Sequence, residues 1–206
     1  MMKKLVMAFA AGVATVFGLF AATYDVATSE ELVAAVASAG EGDEIVLAKG
    51  NYTVSAVLAL AAGANMRGTT GNWKDITISG GKACGLLTMQ AGSTVSEITF
   101  AGGKGHGVEM HGGVLENCRV TGCVRAGNHA YGVGVWNDGG QIIGCVIDGN
   151  EGREHFTGIG IYQQGADALI DRCVITNNTA TLAYGNRNGS DGRVGLGAAL
   201  KGGLIR

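Results

Sequence analysis

Hydrophobic residues recur along the chain in a six-residue pattern that is found four times. Each copy has an apolar residue at its first and last positions and an apolar residue or cysteine at its fourth. The equivalent residues Val95, Leu115, Ile142 and Ile170 are 20, 27 and 28 positions apart. A repeat of this length is typical of a solenoid, in which each repeat forms one coil stacked on the previous one. Function is therefore expected along one face or in the loops.

A second pattern, a glycine followed by alternating apolar residues, recurs in step with the first. Alternation with a period of two predicts a strand rather than a helix. We expect the aliphatic residues, such as Val133 and Ile159, to point into the coil, and the intervening residues, such as Gly134 and Gly160, to point outward. These segments begin at Gly85, Gly107, Gly132, Gly158 and Gly195.

Together the two patterns predict an all-β fold, a parallel β-helix of about six coils with like strands stacked roughly 4.8 Å apart. Glycine, at 37 of 206 residues, suits the tight corners, and the absence of proline suits strands that all donate hydrogen bonds. The final residues, 202–206, match a segment that leads into a cysteine strand. We interpret the sequence as C-terminally truncated, with an open end that favours self-association.

The first 22 residues have the pattern of a secretory signal peptide. Lys3 and Lys4 precede an apolar run over residues 5–20, which is short for a membrane span. Cleavage is favoured over an uncleaved anchor, so we expect a protein that is secreted or displayed on the cell envelope. The β-helix domain would then occupy residues 23–206, with its coils over about 44–206.

A short helix over about residues 29–39 is predicted to cover the first coil. Thr28 and Glu31 form a capping-box pattern at its start, and Gly40 suits the position just after its end. Leu32, Val33 and Val36 would form its apolar stripe.

Three cysteines, Cys118, Cys145 and Cys173, occupy the same inward position in successive repeats. A buried ladder of thiols is favoured over a disulfide, because stacking in register gives poor bridging geometry, and over a metal site, because no C-x-x-C pair is present. We therefore assign no metal-ligating residues. Asn150 and Asn178 also fall at equivalent positions and would form an internal amide ladder.

The segments that follow the cysteine strands vary in length and carry most of the histidines. In a solenoid such insertions gather on one edge, where a base and a cation could act on an acidic polysaccharide. The alternative is that these segments are polar only because they are solvated. The candidate catalytic residues are Lys104, Arg125, His129, Arg153 and His155.

A column of aromatic residues is predicted on the outside of the glycine-containing strands. His111, Trp136 and Tyr162 would lie one above another and offer an apolar platform to sugar rings, with Asn137 and Gln163 hydrogen-bonding at its edge. The alternative is that the aromatic rings pack under a neighbouring segment or stabilise the sheet by stacking. The formal net charge of −2 gives no basic face for nucleic acid.

Two resemblances to known families follow from these residues. Residues 32–36, 42–47 and 50–53 resemble the opening of secreted right-handed β-helix proteins, which include alginate and chondroitin lyases. Residues 158–162 and 173–180 resemble the coils of polymorphic outer-membrane proteins and autotransporter-like adhesins. Both resemblances imply a right-handed β-helix, and neither carries a catalytic residue over to this chain.

Two functions are therefore expected. The favoured one is a surface stalk or adhesin that binds glycans without catalysis and without a cofactor. The alternative is a secreted polysaccharide lyase, with Ca²⁺ as its cofactor, or a glycoside hydrolase, in either case with a pectate-lyase-like fold. In both cases the partner is a polysaccharide or a cell-surface glycan.

Overall fold

The computed structural model describes residues 21–81, 84–126, 130–153, 156–181 and 197–206. The predicted signal peptide, apart from its last two residues, lies outside this range, as do the candidate residues His129 and His155. Within it, the chain winds into a right-handed parallel β-helix with one short α-helix, as the repeats predict. Every strand pairing in the described part of the chain is parallel and joins one coil to the next.

Sheet 1 begins each coil and pairs eight strands among the described residues. Its second to seventh strands open the six coils, which we number 1 to 6. The strands are Thr23–Val26, Glu44–Leu47, Asn65–Gly68, Thr94–Ser96, Val114–Glu116, Gln141–Ile143, Leu169–Asp171 and Leu204–Ile205.

Sheets 2 and 3 complete the three sides of the solenoid, each with one strand from every coil. The strands of sheet 2 are Gly50–Thr53, Ile76–Ser79, Thr99–Ala101, Arg119–Thr121, Val146–Asp148 and Val174–Thr176. Those of sheet 3 are Leu58–Ala59, Leu87–Gln90, Val108–His111, Val135–Asn137, Ile161–Gln163 and Ala198–Leu200. A 3-10 helix, Trp73–Asp75, precedes the second strand of sheet 2.

The variable segments after the cysteine strands contain further strands, where the sequence suggested loops. Sheet 4 consists of Val124–Ala126, Glu151–Arg153 and Thr179–Thr181, and sheet 5 of Ala130–Tyr131 and Phe156–Thr157. Each strand of sheet 4 begins three residues after the preceding strand of sheet 2 ends, so the backbones can pair from coil to coil although the segments differ in length.

The turn from sheet 1 into sheet 2 uses the left-handed backbone region in four successive coils. Glu97, Asn117, Gly144 and Arg172 occupy equivalent positions, with φ between 48° and 63°. This single left-handed residue bends the chain from one side of the solenoid to the next, and the residue that follows it, Ile98 or a cysteine, points toward the core.

Most inward positions are filled by aliphatic residues that stack in columns. In sheet 1 one column contains Ile45, Met66, Val95, Leu115, Ile142 and Ile170, each no more than 1% exposed. Val133 and Ile159 are also fully buried, as predicted. The outward placement of Gly134 and Gly160 is wrong. A Cβ on Gly134 would lie 2.8 Å from Cγ2 of Ile147, because the chain bends before the strand begins at Val135.

The helix Ser29–Ser38 has the predicted capping box, in which Thr28 accepts from the backbone of Glu31. It packs against the first strands of the solenoid. Its buried residues are Leu32, Ala35 and Val36, whereas Val33 is 50% exposed, contrary to the predicted stripe. Gly40 is not left-handed, because the chain leaves the helix in an extended conformation. No helix in the described part of the chain is long and apolar enough to cross a membrane.

Cysteine and asparagine ladders run through the interior. All five cysteines are free thiols, and Cys118 and Cys145 are buried. The backbone N–H of Cys118 donates to Sγ of Cys145 over 3.4 Å. Nδ2 of Asn150 donates to Oδ1 of Asn178 over 2.9 Å, which confirms the predicted amide ladder.

Candidate functional site

A groove of about 210 Å³ opens on the outer side of sheet 3, across coils 1 to 4. Gly85 and Gly105 contribute no side chains to it and so leave its floor open. The side chains that line the groove are Val57, Leu87, Thr88, His106, Glu109 and Arg125. The groove therefore combines an apolar floor with two charged groups and an imidazole.

His106 is held between two groups that fix its protonation state. Its Nδ1 contacts the carbonyl oxygen of Gly132, and its Nε2 lies 2.5 Å from Nη1 of Arg125. A carbonyl only accepts and a guanidinium only donates, so Nδ1 carries the proton and Nε2 accepts. Burial lowers the pKa of His106, and the charge of Arg125 acts in the same direction, although the bond to Gly132 opposes them. The ring is therefore neutral.

Arg125 forms one wall of the groove and is partly buried. Besides His106, its Nη1 reaches the carbonyl oxygen of Tyr131 at 3.3 Å. Burial lowers the pKa of Arg125, opposed by the charge of Glu109, but a guanidinium stays protonated in proteins. A positive charge is thus fixed beside an open cavity.

The outer column of sheet 3 differs from the predicted one. Trp136 pairs in register with Glu109 on one side and Tyr162 on the other, whereas His111 pairs with Gln90. The sequence alignment was wrong because the bend at residues 133–134 adds two residues before the strand. His111 still contacts the indole of Trp136, with ring centroids 5.3 Å apart.

Glu109 links this column to the groove. Its Oε1 lies 3.2 Å from Nε2 of His111, and both side chains are about one-third exposed. The ring of His106 lies on the other side of Trp136, with centroids 6.3 Å apart. The partly exposed indole of Trp136 therefore contacts two imidazoles, one of which, that of His106, lines the groove.

Tyr162 packs under a neighbouring segment, which was the alternative to an exposed aromatic platform. It is only 8% exposed, and the ring of Tyr131 covers it at a centroid distance of 4.5 Å. Tyr131 itself is exposed. On this face Trp136 and Tyr131 are therefore more accessible than Tyr162.

The prediction that Asn137 and Gln163 border a ligand is wrong. Both are completely buried, on the inner side of sheet 3, and they hydrogen-bond to each other. The alternation of the strand could have revealed this, because Asn137 lies two residues after Val135 and therefore on the same face.

The structure brings together only part of the predicted basic cluster. Lys104 is exposed and forms an isolated bridge with Val124, next to Arg125 on sheet 4. The backbone of Arg153 pairs with Ala126 on the same sheet. His106 was not among the catalytic candidates, although the sequence places it in the same set of variable, histidine-containing segments. Among the described residues, no group of three or more His, Cys, Asp or Glu is arranged to hold a metal ion.

The fold and the groove define a class of protein: a parallel β-helix solenoid with a polar and aromatic site on its outer face. Comparison with protein families agrees with the fold. Residues 62–194 match the model described as right handed beta helix region, which covers more than half of the chain. The chain belongs to this family. A comparison with curated proteins found no significant match.

Proposed function

We propose that this protein is a secreted or surface-displayed β-helix protein that binds glycans on the outer face of sheet 3. The observation that carries the proposal is the partly exposed indole of Trp136, which pairs in register with Glu109, beside a groove of about 210 Å³ that Glu109 and Arg125 line. The groove has room for about one sugar ring. The signal-peptide pattern of residues 1–22 supports export.

The chemistry of the groove suits a saccharide. An aromatic face packs against the C–H groups of a sugar, while its hydroxyl groups need donors and acceptors around the ring. Glu109 supplies an acceptor and Arg125 supplies donors whose direction is fixed by His106. His111, beside both Glu109 and Trp136, adds a further polar edge.

The same contacts favour binding over catalysis. A general base needs a free lone pair within reach of the substrate proton. Nε2 of His106 instead accepts from Arg125, and its Nδ1 donates to Gly132. The imidazole therefore serves to hold the guanidinium in place, and we assign it a positioning role.

The test is retention of the full chain on polysaccharide affinity gels, with Trp136→Ala as the main variant. We expect its dissociation constant to rise about tenfold, which corresponds to roughly 1.4 kcal/mol. Trp73→Ala is the matched control, because Trp73 lies beside sheet 2, where it packs against Arg119, and not at the groove. Its retention should equal that of the unmodified chain.

Two results would overturn the proposal. Equal retention of Trp136→Ala and the unmodified chain would remove the groove from glycan binding. Release of unsaturated or reducing sugar ends by the unmodified chain, abolished by Arg125→Met, would instead establish the polysaccharide lyase or hydrolase function.

A further inference from the structure

Cys145 and Cys173 face each other across coils 5 and 6. Their flanking residues pair in register, Ile143 with Asp171 and Val146 with Val174, so the two cysteines are direct neighbours. Paired parallel strands lie about 4.8 Å apart, which is inside the range of roughly 4.4–6.8 Å that Cα atoms span in disulfides. The distance between the two backbones therefore permits a disulfide, but stacking in register means that both side chains must rotate to reach the dihedral angle that the bond requires.

The two thiols influence each other. Sγ of Cys145 lies 3.4 Å from the carbonyl oxygens of Leu115 and Ile143, and Sγ of Cys173 lies 3.4 and 3.3 Å from those of Ile142 and Asp171. The neighbouring thiol of Cys145 lowers the pKa of Cys173 to about 7, whereas the thiol of Cys173 and burial raise the pKa of Cys145. At neutral pH a substantial fraction of Cys173 is therefore thiolate, while Cys145 keeps its proton. A thiolate beside a thiol is the arrangement that thiol–disulfide exchange requires.

Access distinguishes Cys173 from the rest of the ladder. Cys118 and Cys145 are no more than 1% exposed, whereas Cys173 is only partly buried. Burial also raises the pKa of Cys118 to about 12 and that of Cys123 to about 11. A reagent from solution should therefore meet Cys173 first.

We propose that Cys145 and Cys173 form a thiol–disulfide exchange site that reacts with small soluble disulfides and closes into a bond between coils 5 and 6. With oxidised glutathione, the Cys173 thiolate attacks one sulfur, the S–S bond breaks, and one glutathione leaves as its thiolate. Cys145 then loses its proton to solvent and attacks Sγ of Cys173, which expels the second glutathione. One disulfide is reduced, one is formed, and two glutathione thiols are released.

This site is independent of glycan binding, because it lies inside the solenoid at the turn between sheets 1 and 2. The bond would connect residues 28 positions apart in the sequence. A cross-link between neighbouring coils restricts the unfolded chain, so the oxidised form should unfold at a higher temperature than the reduced form.

The test treats the fully reduced chain with oxidised glutathione at pH 7 and follows the intact mass. The expected product has lost the mass of two hydrogen atoms. After tryptic digestion without reduction, residues 126–153 and 173–187 should be joined, and two equivalents of glutathione should be free in solution.

Three serine variants separate the roles of the thiols. Cys145→Ser should stop at a stable mixed disulfide on Cys173, and Cys173→Ser should react at least tenfold more slowly. Cys118→Ser, which alters the same ladder one coil away, should behave like the unmodified chain. Circular dichroism checks that each variant is folded. A lasting glutathione adduct on the unmodified chain, or a cross-link to any other cysteine, would overturn the proposal.

Discussion

Nδ2 of Asn137 donates a hydrogen bond to Oε1 of Gln163 over 3.1 Å inside the solenoid, where it joins coils 4 and 5. Asn137 also closes the turn that follows its own strand. Its Nδ2 donates to the carbonyl oxygen of Gly140, and its Oδ1 accepts from the N–H of the same residue. Gln163 donates to the carbonyl oxygen of Ala168 in the corresponding turn one coil further on. These amides therefore stabilise the corner between sheets 3 and 1.

Replacing Asn137 with alanine should lower the free energy of unfolding by about 3 kcal/mol. The N–H of Gly140 and the amide oxygen of Gln163 would lose their partner in the interior, and each unpaired buried group costs roughly 1–3 kcal/mol. Urea denaturation followed by circular dichroism measures the change. Asn51→Ala is the control, since Asn51 is exposed on sheet 2 and its loss should cost less than about 0.5 kcal/mol. Equal effects of the two substitutions would contradict a structural role for Asn137.

Arg172→Gly should be more stable than Arg172→Ala by about 1 kcal/mol. Arg172 has a φ of 51°, in the left-handed region, which costs a residue with a Cβ roughly 1–2 kcal/mol. Glycine avoids this cost, but its greater flexibility in the unfolded chain offsets part of the gain. Both variants lose the same exposed side chain, so their difference isolates the backbone. Thermal unfolding of the pair provides the measurement.

The equivalent position in coil 5 is already glycine, with a φ of 61° at Gly144. Gly144→Ala should therefore destabilise the protein by about 1 kcal/mol or more. The added Cβ would also lie 2.8 Å from Oδ1 of Asn117. If alanine were tolerated at both positions without loss, the turn would not depend on the left-handed conformation.

Protonation of His106 should destabilise the fold as the pH falls. Burial lowers the pKa of His106 in the folded protein, whereas the pKa in the unfolded chain is near 6.5. Between these two pKa values the unfolded chain binds more protons than the folded one, so acid favours unfolding. Stability is fully present above about pH 6.5 and decreases below it. Melting temperatures of the unmodified chain and of His106→Gln, measured between pH 8 and pH 5, should converge as the pH falls.

His111→Gln is the matched control for this pH dependence. His111 lies in the same coil but its side chain is 37% exposed, and it does not contact Arg125 in the described structure. The slope of melting temperature against pH should therefore persist in His111→Gln and shrink in His106→Gln. A slope that survives both substitutions would assign the effect to another group.

Asp148→Asn should lower the free energy of unfolding by about 1 kcal/mol at pH 7, because it removes an ion pair on the outer face of sheet 2. Arg119 donates to both carboxylate oxygens of Asp148, at 2.8 and 2.6 Å, and its guanidinium lies over the ring of Trp73. Bidentate pairs of this geometry exceed the usual value of exposed ion pairs. Lys49→Gln is the comparison variant, because it removes an ion pair with Asp75 that has only one hydrogen bond. In chemical denaturation, Asp148→Asn should lose more free energy of unfolding than Lys49→Gln.

The stability that the ion pair between Arg119 and Asp148 contributes should depend on pH. The hydrogen bond from Arg119 lowers the pKa of Asp148, so its contribution is present above the unfolded value near 3.9 and disappears as the pH falls through the folded value. The gap in stability between Asp148→Asn and the unmodified chain should accordingly close in strong acid. A gap that stays constant down to pH 2 would mean that the carboxylate charge contributes nothing.

The sequence by itself determined the coil and most of its interior. The spacing of Val95, Leu115, Ile142 and Ile170 was sufficient to define the repeat, because burial of one residue per coil imposes a periodicity that can be counted along the chain. The capping box of Thr28 and Glu31 was equally readable, since all of its contacts lie within four residues.

Only the tertiary structure decided the register and the site. The bend at residues 133–134 moves Trp136 beside Glu109 instead of His111, and counting from the preceding glycine cannot detect it. The contact between His106 and Arg125 joins residues 19 positions apart in neighbouring coils. Such contacts depend on how one coil stacks on the next, and a one-residue change in that stacking would turn each side chain to the opposite face.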